Sequence, residues 1–264
     1  MEKNGKTKII TAVLLVIFGL VFIVSVGHIG FKLMSERRSA KKFDELTKIV
    51  RTIESESEEQ TASAGERITE PDTVLPAYEP LYEKNSDLFG WLKIDDTPID
   101  YPVMHTPDEP ERYLRRDFDK KYSLEGIPFL DGKCPPDGNY FIVYGHNMDN
   151  ETMFGSLPYY EDKEYRDGHS IIYFDTLYEK REYEVFAAFY SKVYDSSDQT
   201  SFKYYLYFDL SDPEKFSEFV RGVEAEAIYP TGINVEYGDE LLTLSTCNYH
   251  TDNGRFVVVA KRIK

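Results

Sequence analysis

The 264-residue sequence lacks most of the features that identify a cofactor-binding or nucleic-acid-binding protein. It contains no GxxxxGKS/T, GxGxxG or HExxH pattern, so it gives no indication of nucleotide binding or of zinc-protease chemistry. Positive charge is scarce: the net charge is −16, and because residues 1–42 carry +6, the remainder carries −22. An acidic body of this size repels nucleic acid, which excludes DNA and RNA as partners.

Cysteine is also scarce. Cys134 and Cys247 are the only two, too few for a disulfide framework or a metal site, although the sequence alone leaves open one bridge between them. The many Asp and Glu residues are scattered and form no specific pair of carboxylates. We therefore expect neither a cofactor nor a bound metal ion.

One long apolar run stands near the N-terminus. Residues 9–31 are 23 residues without Asp, Glu, Lys or Arg, which at about 1.5 Å per residue spans the roughly 30 Å hydrocarbon core of a bilayer. We interpret this run as an uncleaved transmembrane anchor. The alternative is a cleaved signal peptide, with Ser25 and Gly27 as small residues near the cut. Lysines precede the run and basic residues also follow it, so the charges leave its orientation open.

Two segments connect this run to the rest of the chain, together residues 32–77. Apolar residues in 36–54 recur at helical spacing, which predicts a juxtamembrane helix acting as a plain stalk. The acidic, polar stretch 54–73 has no apolar period and is typical of a flexible linker. The folded domain is predicted to span residues 78–264.

Within that domain, short runs rich in aromatic and β-branched residues predict strands. The runs are 89–94, 98–104, 126–131, 139–145, 170–175, 183–190, 240–247 and 255–263. Clusters of Gly, Pro, Asn and Asp separate them, as expected for a closed or nearly closed β-structure. One helix is predicted at 212–226, where Ser211 or Asp212 can cap the N-terminus before Pro213.

The strand ELLTLSTC ends in Cys247, and this position raises a choice. The thiol is either a small buried core residue or a nucleophile held rigidly at a strand end. A nucleophilic thiol needs a base or a cation nearby, because an ordinary thiol is mostly protonated at neutral pH.

Two residues are candidate partners of that thiol. His146, in YGHNM, also follows a predicted strand, and two strand ends at one rim of a barrel can meet in space. Arg255 begins the strand that follows Cys247, so a hairpin would bring its guanidinium near the thiol, where it could stabilise an oxyanion. His250 is closer to Cys247 in sequence, but its position in a turn does not aim it at the thiol. For the histidine and the arginine, plain structural roles remain the alternatives.

Taken together, these motifs resemble the sortases, cysteine transpeptidases of Gram-positive surfaces. TLSTC (243–247) matches the TLxTC signature of that family, YGHNM supplies its histidine, and Arg255 in GRFVVVAKRI resembles its arginine. The resemblance covers roughly residues 85–264. It is closest to class B sortases, which carry a helix before the cysteine strand, where 212–226 stands. It implies a mostly β fold: an eight-stranded sortase-type barrel with an N-terminal helical segment and that added helix.

The resemblance also implies a reaction. Cys247 would attack the carbonyl of a Thr–Gly or Thr–Asn bond in a C-terminal sorting signal of the type xPxT(G/N). His146 would act as general acid and base, and Arg255 would stabilise the oxyanion and the substrate. An amine of peptidoglycan would then resolve the acyl-enzyme, which anchors the surface protein to the cell wall.

By similarity, four residues would line the groove for the sorting signal: Leu114, Ser245, Thr246 and Tyr205. Pro110 and Asn248 depart from groove residues of some class B enzymes. The implied topology is single-pass type II, with residues 1–8 in the cytoplasm and the catalytic domain on the extracellular face. The implied partners are surface proteins that carry a sorting signal and the peptidoglycan amine.

Two alternatives remain beside the cell-wall transpeptidase. A pilin-polymerising sortase would use a lysine of another pilin as the amine, but no lid motif of that type stands before residue 90. A membrane-tethered binding module on a sortase-like barrel would not turn over substrate. The presence of Cys247, His146 and Arg255 argues against such a module.

Overall fold

The computed structural model describes residues 3–64 and 73–264, and it describes side chains for residues 11–57 and 73–264. The chain divides into two compact units, residues 1–42 and 43–264. Helix α1, Lys3–Ala64, contributes to both. In the first unit its apolar side chains from residue 13 onward are largely exposed. An 18-residue window of α1 has a mean hydropathy of 2.7 with no residue buried, so this helix is long and apolar enough to cross a membrane.

The second unit is built around a closed barrel of eight strands. The strands are β1 Leu88–Lys93, β2 Asp100–Met104, β3 Phe129–Leu130, β4 Tyr140–Gly145, β5 Ile171–Thr176, β6 Glu182–Lys192, β7 Leu241–Cys247 and β8 Gly254–Arg262. Around the barrel their order is β1-β2-β3-β4-β7-β8-β6-β5, and β5 closes on β1. The β2–β3 and β4–β7 pairs are parallel, and the others are antiparallel.

Aromatic side chains fill the barrel, as the composition of its strands predicts. Phe89 of β1, Phe141 of β4 and Phe174 of β5 are in mutual contact, with ring centroids 5.4–6.0 Å apart. Each of the eight predicted runs overlaps one strand, which confirms the barrel. The run 126–131 forms only a two-residue strand, because its neighbouring backbone groups bond to other segments: Ile127 N–H donates to the Tyr113 carbonyl.

The second half of α1 packs on the barrel instead of standing free as a stalk. Phe43, Leu46 and Val50 are buried in the core, and the Phe43 ring meets the edge of Tyr101 at 4.9 Å. Burying such side chains contributes about 1.5–3 kcal/mol each. The compact unit therefore begins at Phe43, earlier than the predicted start at residue 78.

The predicted linker is also more ordered than the sequence indicates. Its residues 54–64 are helical, since Ala, Glu and Gln are good helix formers, and Glu54 pairs with Lys180 at 2.5 Å. Residues 65–72 of that linker lie outside the described part of the chain.

The described residues of the second unit contain three further α-helices: α2 Glu79–Lys84, α3 Lys163–Gly168 and α4 Pro213–Glu226. The last is the helix predicted before the cysteine strand. The Asp212 carboxylate caps it by accepting bonds from the backbone N–H groups of Glu214 and Lys215, both at 2.9 Å. Its apolar face is buried against the rest of the unit.

Candidate active site

Three strand ends bring Cys247, His146 and Arg255 to one edge of the barrel. β4 and β7 run parallel and in register, from Tyr140 beside Leu241 to Gly145 beside Thr246. The next residues along these two strands are His146 and Cys247, which therefore stand at the same level. β8 returns antiparallel to β7 and pairs Arg255 directly with Cys247.

A cavity of about 500 Å³ opens at this edge, and all three residues line it. Its remaining lining comes from the four expected groove residues and from further loop and strand positions. Those further positions are Pro110, Glu111, Phe129, Asp131, Gly132, Lys133, Tyr144, Gly145, Val193, Tyr204, Leu206 and Phe208. The volume lies within the range typical of small-ligand sites.

His146 is held by a backbone carbonyl. Its Nε2 lies 2.8 Å from the Leu114 oxygen. Because a carbonyl oxygen can only accept, Nε2 carries the proton, and Nδ1 of the neutral ring keeps the lone pair. Burial lowers the pKa of His146, the nearby Arg115 lowers it further, and the Leu114 bond and Glu125 oppose both. The pKa lies below its usual range, so the imidazole is neutral at neutral pH.

The two cysteines occupy different environments, and neither forms a disulfide, so the bridge that the sequence left open is absent. Cys134 is 2% exposed, and burial raises the pKa of its thiol to about 12, which makes it inert. Cys247 is only partly buried and lines the cavity. Of the two thiols, only that of Cys247 can meet a substrate there.

Arg255 is fixed by the turn that precedes it. Its Nη1 donates to the carbonyls of Asn253 at 3.2 Å and Gly254 at 2.9 Å. Among the side chains that the structure describes, no carboxylate forms an ion pair with this guanidinium, whereas Arg181 and Arg262 both pair with Glu240. The remaining donors of Arg255 are therefore available to an anionic group in the cavity.

The other histidines of the second unit do not line the cavity. His250 is exposed, and its Nδ1 lies 3.0 Å from the Asn248 side chain. The ring of His105 packs edge-on against Phe89, and burial lowers its pKa. His169 follows α3, and its Nδ1 lies 2.8 Å from the Tyr165 carbonyl.

The four expected groove residues all line the cavity, but their polar atoms are already engaged. The Ser245 hydroxyl is 2.7 Å from the Tyr204 hydroxyl, and Thr246 Oγ1 donates to the Gly145 carbonyl at 2.8 Å. The Tyr205 hydroxyl accepts the N–H of Tyr194 at 2.9 Å. These side chains therefore offer shape and apolar contact more than free hydrogen-bonding groups. Of the two departures, Pro110 lines the cavity and Asn248 does not.

Sequence reasoning missed several residues of the cavity and one residue beside it. Lys133 reaches the loop after β6, where its Nζ lies 4.7 Å from the centre of the Phe208 ring. Asn147, next to His146, donates from its side chain to the Cys247 carbonyl at 2.8 Å. The motif YGHNM displayed Asn147, but nothing in the sequence indicated a contact across 100 positions.

Metal binding finds no ligand set in the part of the chain whose side chains are described. No group of three or more His, Cys, Asp or Glu side chains there is arranged to hold an ion.

Comparisons with known proteins agree on one family. Residues 92–263 match the Sortase domain family. The sequence is 31% identical to sortase B of Staphylococcus aureus over 195 residues, which covers 72% of this chain and 76% of that protein. It is 31% identical to sortase B of Listeria monocytogenes over 190 residues, which covers 69% of this chain and 72% of that protein.

Solved structures give the same result. A Staphylococcus aureus sortase B–substrate complex superposes with a TM-score of 0.73 at 26% identity, covering 88% of this chain and 99% of that one. A sortase B complexed with triglycine has a TM-score of 0.71 at 26% identity, covering 87% and 99%. Sortase B from Bacillus anthracis has a TM-score of 0.70 at 27% identity, covering 88% and 99%.

Proposed function

This chain belongs to the sortase family and is a sortase B-type cysteine transpeptidase, and from that premise we propose that it anchors surface proteins to the cell wall. It cleaves a sorting signal of the type xPxT(G/N) between Thr and Gly or Asn, and it transfers the acyl group to an amine of peptidoglycan. The observation that carries this proposal is the meeting of Cys247, His146 and Arg255 in one cavity.

The first half-reaction forms an acyl-enzyme. The Cys247 thiol gives its proton to Nδ1 of His146 as its sulfur attacks the threonine carbonyl carbon, and the carbonyl electron pair moves onto oxygen, where the Arg255 guanidinium stabilises the charge. The C–N bond then breaks, and the leaving amine takes a proton from His146. Because Nε2 is bound to the Leu114 carbonyl, Nδ1 is the nitrogen that exchanges this proton.

The second half-reaction runs the same steps in reverse with a new amine. The amine attacks the thioester carbon, His146 removes its proton, and Cys247 leaves as the new amide forms. A sortase B relative is known in complex with triglycine, a peptide whose amine has this character. The acceptor amine of this chain is therefore proposed to be that of a peptidoglycan peptide.

The N-terminal segment provides the location. We assign residues 9–31 as the membrane anchor, supported by the length and hydropathy of α1. In a type II arrangement residues 1–8 are cytoplasmic and the catalytic domain is extracellular, where sorting signals and peptidoglycan are found. Labelling of single cysteines introduced at Asn4 and at Glu224, in a Cys134→Ala/Cys247→Ala background, with a membrane-impermeant reagent tests this, since only the second should react in intact cells.

Cleavage of a peptide tests the activity. The full-length chain in detergent micelles is given fluorogenic peptides that vary the last residue of the signal, with and without an added amine peptide. Cys247→Ala should abolish both cleavage and transfer. Cys134→Ala, which removes the other thiol, should keep both. Absence of cleavage with every xPxT(G/N) peptide, or persistent cleavage by Cys247→Ala, would contradict the proposal and favour a binding module.

A further inference from the structure

The backbone pairing between β4 and β7 stops just before it reaches His146 and Cys247. The last residues in register between β4 and β7 are Gly145 and Thr246. His146 and Cys247 are the next residue on each strand, and beyond them both strands turn into loops. Cys247 is still paired with Arg255 of β8, but its position relative to His146 also depends on groups outside the ladder between β4 and β7.

Two side chains continue the connection past the end of the ladder. Thr246 Oγ1 donates to the Gly145 carbonyl at 2.8 Å, and Asn147 Nδ2 donates to the Cys247 carbonyl at 2.8 Å. The second bond ties the residue after the histidine to the cysteine itself. A carbonyl oxygen accepts only, so the amide nitrogen of Asn147 faces it.

Asn147 is itself firmly held. It forms an isolated backbone bridge with Met153, and the N–H of Phe154 donates to the His146 carbonyl at 2.9 Å. Met153 and Phe154 are 1% and 0% exposed. A side chain at Gly145 would meet the Phe154 ring at 2.7 Å, so glycine there lets the ring lie beneath the strand end. The Asn147 side chain that bonds the Cys247 carbonyl is thus held in place by buried groups.

We propose that Asn147 is a positioning residue whose side-chain amide fixes the Cys247 carbonyl and so keeps the thiol level with His146. It acts through Cys247 and not on the substrate, because the cavity is lined by His146 and Cys247 but not by Asn147. This inference rests on the proposed roles of Cys247 and His146.

The physical effect concerns the peptide plane after Cys247. Holding its carbonyl fixes the backbone angle that directs the Cα–Cβ bond and hence the sulfur. Without the bond, this peptide plane is held only on its other side, where the N–H of Asn248 donates to the Gly254 carbonyl at 2.9 Å, so the strand end tilts more easily and the sulfur spends less time in line with the substrate carbonyl. Misplacement by about 1 Å costs about 100-fold in rate. The loss falls on kcat, because the walls that bind the sorting signal are unchanged.

The test compares Asn147→Ala with Asn150→Ala, a matched change in the same loop. Asn150 also bonds its neighbours through its side chain, at Thr152, but it does not contact Cys247. In the full-length enzyme, Asn147→Ala should lower kcat about 10- to 100-fold with KM within about threefold, and it should slow alkylation of Cys247 by iodoacetamide. Asn150→Ala should leave both rates unchanged. Thermal unfolding of each variant reports its stability.

A second variant supplies a pH signature. Asn147→Asp keeps the size but presents a carboxylate that cannot donate to the carbonyl until it is protonated, near an ordinary pKa of about 3.9. Its activity relative to wild type should therefore rise mainly as the pH falls from about 5 to about 4. A purely structural role would give no such rise.

The outcomes separate this inference from the function on which it rests. Activity remaining in Cys247→Ala would overturn the function itself. A dead Cys247→Ala together with an Asn147→Ala enzyme as active as Asn150→Ala would overturn only the positioning role. A loss confined to KM, or one that simply follows a lower unfolding temperature, would also overturn it.

Discussion

Two regions enclose the cavity, and they are held together differently. The floor consists of the ends of β4, β7 and β8, where the backbone ladders pair Cys247 with Arg255 and end one residue before His146. The walls are the segments 110–114, 131–133 and 193–208, which are joined to the strands by isolated hydrogen bonds and side-chain contacts instead of a continuous ladder. Cys247, His146 and Arg255 stand on or directly beside the ladders, and most of the other residues that line the cavity stand on loops. Changes in the floor should therefore affect the chemical step, and changes in the walls should affect binding.

The largest expected effect comes from the floor. His146→Gln keeps a side-chain amide that can still donate to the Leu114 carbonyl, but it cannot transfer a proton. We expect kcat/KM to fall about 100- to 10,000-fold, mainly in kcat, with little change in unfolding temperature. Steady-state cleavage of a fluorogenic sorting peptide measures it. An activity within about threefold of wild type would remove His146 from the mechanism.

An intermediate effect is expected where floor and wall meet. Glu125 is 2% exposed, and its carboxylate raises the pKa of His146, whereas Arg115 lowers it. Glu125→Gln should therefore move the His146 pKa further down, and Arg115→Gln should move it up. NMR titration of the imidazole in the Cys247→Ala background measures both.

The opposite signs make this pair its own control, together with Glu151→Gln, an exposed carboxylate that should leave the pKa unchanged. In the active enzyme, the acid limb of the pH–rate profile should move in the same direction as the pKa, because the neutral imidazole exists only above it. Shifts of the same sign in both variants would contradict the electrostatic account.

The smallest expected effect comes from the walls. Lys133→Ala removes the ammonium that lies over the Phe208 ring and links two loops across the cavity. Such a contact at an exposed site contributes about 0.5–1 kcal/mol, so KM should change about two- to fivefold with kcat preserved. Lys121→Ala, an exposed lysine outside the cavity lining, is the control. If kcat fell by a larger factor than the factor by which KM changed, the distinction between floor and walls would be wrong.

The same distinction explains what could be predicted from the sequence. Strands of the floor carry dense apolar runs bounded by turn residues, so β4, β7 and β8 were predictable to within two residues of their observed ends. The walls have no periodicity, and their contacts depend on where distant loops cross, as Lys133 and Phe208 do. The hydrogen bond from Asn147 to the Cys247 carbonyl could not be predicted for the same reason, although the neighbouring His146 was identified as a candidate.

The packing of the N-terminal helix on the barrel could not be predicted, for another reason. The apolar spacing at Phe43, Leu46 and Val50 is visible in the sequence, and it predicts a helix correctly. Spacing shows which face is apolar but not what covers it, so a membrane-proximal stalk and a helix packed on a barrel are indistinguishable from periodicity alone. The acidic composition of 54–64 favours a linker, yet its alanine and glutamate residues also suit a helix.

The place of β8 in the barrel has a consequence for the order in which the cavity is assembled. β8 is the last of the eight strands in the sequence, yet it lies between β6 and β7 and brings Arg255 beside Cys247. A ribosome therefore delivers the strand that completes the site after all the others. Until β8 inserts, β7 is flanked by β4 alone, and the thiol has no fixed cation. The pairing of Cys247 with Arg255 therefore forms only when the last strand closes the barrel.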